Sequence, residues 1–133
     1  RLGYVVAREE FINELLKIRG PYDVNMAAVV AAQALLADQE PWQELVNHLM
    51  QEVKPQLESF LREQGVRFYP AEANFMLVEP KGGAAAAVNY LKEHGILVRA
   101  MRPPLENCFR MSLRRMADME RFFGSFQDFL QKH

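Results

Sequence analysis

Little in this sequence ties the chain to a charged surface, a membrane or an oxidising compartment. Lys and Arg number 16 against 17 for Asp and Glu, and the net charge of −1 leaves no basic excess for nucleic acid or a membrane surface, so neither partner is expected. A single cysteine, Cys108, excludes an internal disulfide. No apolar run is long enough to span a bilayer and no signal-peptide pattern is present, from which a cytoplasmic setting is expected. The three histidines, His48, His94 and His133, lie far apart, and no His, Cys, Asp or Glu spacing resembles a metal site. Ser112 lacks a GxSxG elbow, and Cys108 has apolar strand neighbours and no nearby His, the pattern of a buried inert thiol and not of a nucleophile. No Met precedes Arg1. The opening Arg1-Leu2-Gly3-Tyr4-Val5-Val6 reads as a strand already under way, so a piece of a longer protein is expected.

What is present is an ordinary globular composition, with 133 residues of which 50% are hydrophobic and 25% charged. Leu2 to Ala7 reads as a short buried strand whose partner strands are expected outside this piece of chain. Phe11, Ile12, Leu15, Leu16 and Ile18 then recur at helical spacing until Arg19-Gly20-Pro21 stops the helix. Asp23 or Asn25 can cap a second helix, Met26 to Ala37, which is apolar on nearly every side and must be covered all round, either as plain core or at a subunit or domain interface. Pro41 suits the start of a third helix whose apolar period continues to Gly65, with a kink expected near Gln51 to Pro55.

From there the period changes to two. Val66 to Tyr69 and Ala73 to Val78 read as a hairpin, and Ala84 to Glu93 as a helix ending at His94-Gly95. The glycine pair Gly82-Gly83 reads as a flexible turn, or less readily as a phosphate cradle, since no GxxxxGK pattern surrounds it. Ile96 to Met101 and Cys108 to Leu113 read as two more strands, each carrying one arginine, and Asp118 to Leu130 as a helix with a core-facing aromatic stripe. In the last strand, alternation sets Phe109, Met111 and Leu113 on one face and Cys108, Arg110 and Ser112 on the other. A guanidinium held there on rigid backbone is suited to a bidentate grip on a carboxylate or phosphate, while an ordinary solvent-facing arginine would show the same periodicity.

A family pattern bears on that choice. Arg1-Leu2-Gly3-Tyr4, Pro21-Tyr22-Asp23-Val24-Asn25 before an alanine-rich helix, Ala73-Asn74-Phe75-Met76-Leu77-Val78, Gly95-Ile96-Leu97-Val98-Arg99 and Phe109-Arg110-Met111-Ser112 occur in register over the whole chain. Together they resemble the C-terminal part of a fold type I pyridoxal-phosphate aminotransferase, most of all the histidinol-phosphate aminotransferase group. The resemblance implies that Arg1 contacts the phosphate of pyridoxal 5'-phosphate and that Arg99 and Arg110 bind the anionic group of a phosphorylated substrate. It implies no catalytic residue here, because the family's cofactor-bearing lysine precedes the arginine that matches Arg1. None of Lys17, Lys54, Lys81, Lys92 or Lys132 replaces it by motif, so this polypeptide alone is expected to be inactive.

The same resemblance implies an α+β fold: a small C-terminal domain, residues 39–133, with an antiparallel-rich sheet of about four strands and helices on one face. Residues 1–38 would be the end of a large domain and its linker, contributing a strand and helices, and the parent would be a homodimer. Histidinol phosphate with 2-oxoglutarate is the expected substrate pair. One departure is Arg114-Arg115-Met116-Ala117, where the group has Gly-Thr and an acidic helix start. That departure resembles the threonine-phosphate decarboxylases of cobalamin synthesis, which stand as the alternative beside a stand-alone α+β ligand-binding module.

Overall fold

The computed structural model describes residues 2–133, and the chain divides into two compact units, Arg1–Gln43 and Glu44–His133. In the first unit, helix α1 spans Glu9–Ile18 and α2 spans Met26–Ala37, bounds that the apolar spacing of the first and the cap and apolar run of the second predict to within a residue. The Asn25 side chain caps α2 by accepting from the Ala27 N–H at 2.9 Å. Helix α3, Glu40–Asn47, begins beside Pro41, and Trp42 Nε1 donates to the Leu35 carbonyl at 2.8 Å. Two apolar stretches are left uncovered here. Residues 2–7 form no strand and lie exposed, Tyr4 at 90% and Val6 at 86%, because an apolar run becomes a strand only when another strand satisfies its backbone, and none among the described residues does. Helix α2 likewise buries no residue.

In the second unit the expected kink is present as a widened turn. Residues His48–Val53 are π-helical and lead into α4, Lys54–Glu63, with the Lys54 N–H reaching back to the Leu49 carbonyl. Pro55 explains it: proline has no N–H to give to the preceding turn and its ring crowds the carbonyl there, so the ladder loosens just upstream. Helix α4 closes at Gly65, whose φ of 62° lets the Val66 N–H return to the Leu61 carbonyl at 2.9 Å.

Four strands follow, β1 Arg67–Tyr69, β2 Phe75–Glu79, β3 Arg99–Ala100 and β4 Phe109–Ser112, with α5 Ala84–Glu93 and α6 Met116–Lys132. The sheet order is β1-β2-β4-β3 and every pairing is antiparallel. Met76, Val78, Phe109 and Met111 point to one face, where they bury with Leu57 and Leu61 of α4, Ala87 and Leu91 of α5, and Phe122, Phe126 and Phe129 of α6. The helices therefore cover that face, as expected. Strand β3 is shorter than expected because Ile96 and Val98 turn back to pack on the core, leaving two residues to pair at the sheet edge. The glycine pair before α5 forms a turn. A Cβ on Gly82, at φ 82°, would lie 2.7 Å from the His133 Cβ, so the end of α6 fills that space.

Gly124 of α6 is the opposite case. It is exposed, and a Cβ there would meet nothing within 4 Å. Gly124→Ala is expected to stabilise the chain by about 0.5–1 kcal/mol through helix propensity alone, read as a higher urea midpoint at unchanged slope. An unchanged or lower midpoint would mean that the helix has neighbours there.

Candidate functional site: an arginine pair on the open sheet face

Alternation sends the side chains between the core residues to the opposite face of the sheet. There the register sets Arg67 across from Glu79, Tyr69 across from Leu77, Leu77 across from Arg110, and Arg110 across from Arg99. The β1 end of this face is neutralised within itself. Tyr69 donates its hydroxyl to Glu79 at 2.8 Å, Arg67 lies 3.5 Å from the same carboxylate, and the hydrogen bond to Glu79 raises the Tyr69 pKa. Cys108 is buried beside them; burial, then the Glu79 charge, pushes its thiol pKa up, which fits an inert thiol.

The β3 end differs. Arg99 and Arg110 are directly opposed on adjacent strands, and among the described residues neither has a carboxylate within ion-pair distance. Like charges in that relation destabilise a sheet, and an anion between them would remove the penalty. Arg110 lays its guanidinium over the Phe75 ring, with 5.1 Å from Cζ to the centroid. Its Nε is sealed from solvent with no hydrogen-bond partner among the described residues, a state that costs about 1–3 kcal/mol for an ordinary buried donor.

Two clefts meet at this pair. One, of about 460 Å³, is lined by Gly95 to Arg99, by Arg110 to Ser112, by Arg114 just before α6 and by Asp118 and Arg121 within it. The other, of about 510 Å³, is lined by Arg99, Arg102 to Leu105 and Arg110. Arg114 holds Asp118 at 3.4 Å, the only carboxylate among the described residues that line either cleft. Of the residues expected from sequence, Arg99 and Arg110 are thus brought together on one face, while Arg1 lies outside the described residues. Sequence reading assigned no role to Phe75. Its signal was alternation: Phe75 and Leu77 share the face of Arg110.

An antiparallel sheet backed by helices on one face, with opposed and unneutralised arginines on the other, defines an α+β unit. The comparisons make that class specific. The family model for aminotransferase class I and II matches residues 1–126, and the chain belongs to that family. It is 35% identical over 120 residues to histidinol-phosphate aminotransferase of Roseiflexus castenholzii, an alignment covering 86% of this chain and 32% of that protein. The histidinol-phosphate aminotransferase of Sinorhizobium meliloti, solved in complex with pyridoxal-5'-phosphate, superposes with a TM-score of 0.69 at 26% identity, over 90% of this chain and 34% of the other. The L-threonine-O-3-phosphate decarboxylase of Porphyromonas gingivalis superposes with a TM-score of 0.73 at 25% identity, over 95% and 40%. The chain spans about a third of the length of the curated relatives it matches.

Proposed function

We propose that this chain serves as the small domain and linker region of a pyridoxal-phosphate aminotransferase that acts on a phosphorylated amino compound, with histidinol phosphate and 2-oxoglutarate as the pair. Residues 1–38 would close the large domain and 39–133 would form the small one, in a cytoplasmic homodimer. The observation that carries the reading is the opposed, unneutralised pair Arg99 and Arg110 in a chain of this family. When bound, the cofactor supplies an electron sink to the substrate's reacting carbon. Arg99 and Arg110 fit a substrate anion: two planar forks on neighbouring strands can hold a phosphate or carboxylate and so fix the distance of the reacting carbon from the cofactor. Arg1 is assigned to the cofactor phosphate. The cofactor-bearing lysine has no counterpart among the chain's own lysines, so the polypeptide by itself would bind anions without turnover.

Threonine-phosphate decarboxylation is the second reading, favoured by Arg114-Arg115 after β4 and by the Porphyromonas gingivalis neighbour. A full-length enzyme carrying this sequence, given each phosphorylated substrate in turn, decides between them. The expected result is a keto product and glutamate from histidinol phosphate with 2-oxoglutarate, and no carbon dioxide from threonine phosphate. Carbon dioxide release without an amino acceptor would transfer the assignment to the decarboxylase, and turnover of neither substrate would remove both.

A further inference from the structure

Phe75 is half-buried on the open face of β2, and its ring lies under the Arg110 guanidinium with 5.1 Å from centroid to Cζ. Arg110 is opposite Leu77 in the β2–β4 register, which makes Phe75, two residues along β2, its diagonal neighbour on the same face. The Nε–H is sealed from solvent without a partner, whereas the rest of the guanidinium is not among the sealed groups. An arginine can offer a planar anion two edges, the side edge through Nε and one terminal nitrogen or the end through both terminal nitrogens. Here the side edge is covered.

We infer that Phe75 is a positioning residue for the anion site: its ring fixes the plane of Arg110 and covers Nε, so that a ligand is met end-on through the two terminal nitrogens, beside Arg99. This rests on the reading of Arg99 and Arg110 as the anion pair and adds how the pair is presented. It defines the ligand face as two coplanar oxygens, a carboxylate or two oxygens of a phosphate. Arg99, by contrast, is exposed on the edge strand with no aromatic ring under its guanidinium among the described residues, so Arg110 is the fixed member of the pair and Arg99 the adaptable one.

The test uses the 133-residue chain in two arms, with inorganic phosphate as the probe. In the first, nitrogen-15 NMR follows the Arg110 Nε–H without ligand. The ring should move its proton resonance away from the envelope of exposed arginines such as Arg114 and slow its exchange with water. Phe75→Leu should return both to ordinary values, and Phe75→Tyr should keep them. In the second arm, phosphate titration should show Phe75→Leu weakened by about two- to thirtyfold, the range of a cation–π contact, with Phe75→Tyr close to the parent sequence. Should Phe75→Leu fold poorly, Phe75→Met keeps the volume without the ring and carries the same expectation. An ordinary Arg110 Nε–H in the unsubstituted chain would overturn the inference, as would folded ring-less variants that bind phosphate as tightly as the parent. If Phe75 governs the Nε–H signal but phosphate does not bind at all, the anion reading of the pair falls, and with it the positioning role, although the contact itself stands.

Discussion

Phe126→Ala is expected to cost about 3–5 kcal/mol, the range for truncating a fully buried phenylalanine. Phe126 is 0% exposed, and its ring centroid lies 5.1 Å from Phe122, 5.7 Å from Phe109, 6.0 Å from Phe129 and 6.5 Å from Phe60. It therefore joins α6 to β4 and α4, and the space it leaves is bounded by other rigid rings that cannot close in. Against a domain stability of about 5–15 kcal/mol, the loss removes a large part of the total and lowers Tm by about 15–30 °C. Urea unfolding followed by far-ultraviolet circular dichroism is the right readout, because the single tryptophan, Trp42, lies in the first unit and reports on other surroundings. A loss below about 1 kcal/mol would show that the aromatic stripe is not the centre of the core.

Arg110→Ala, in a full-length enzyme carrying this sequence, is expected to lower kcat/KM by about a hundredfold or more while pyridoxal phosphate stays bound. A charge-assisted hydrogen bond contributes about 1.5–3 kcal/mol, and truncation removes both prongs of one fork. Arg110→Lys keeps the charge but loses the planar fork and the stacking on Phe75, so only a partial recovery is expected. Cofactor occupancy, read from its visible absorbance, separates this from damage to the cofactor site. Replacing Arg1 should give the reverse pattern, weakened cofactor retention with a smaller effect on substrate. Release of the cofactor by Arg110→Ala with substrate affinity intact would contradict the assignment of both arginines.

How far the sequence discloses this molecule depends on whether a feature is local. Helix α2 follows directly from its Asn25 cap and apolar run and α5 from its apolar spacing and terminal glycine, and Phe109, Met111 and Leu113 go to the core because strand alternation is itself local. The widened turn before Pro55 follows from one missing N–H. Leu2 to Ala7 forms no strand because a strand is a property of a pair, and apolar composition does not supply the partner. The cut-back β3 has the same origin: residues 96–98 had a choice between pairing and packing, and core burial won for Ile96 and Val98.

The site divides in the same way. That Arg110 leaves the core face was legible from alternation. That Arg99 faces it depends on the β3–β4 register across the intervening loop, which no local pattern fixes. Phe75 could be placed on the same face, yet its contact with Arg110 is a diagonal one across two strands and emerges only when the chain is folded.

The central claim is that Arg99 and Arg110 act together on one anion. Phosphate titration of the 133-residue chain and of Arg99→Ala, Arg110→Ala and the double variant tests it most directly. If both guanidinium groups grip the same ion, each single substitution weakens binding by about tenfold or more, and the double variant loses clearly less than the sum of the two free-energy changes, since either loss already frees the ion from the shared grip. A double variant that binds phosphate as tightly as the parent chain would contradict the claim outright, and strictly additive losses would separate the two arginines into independent surface charges.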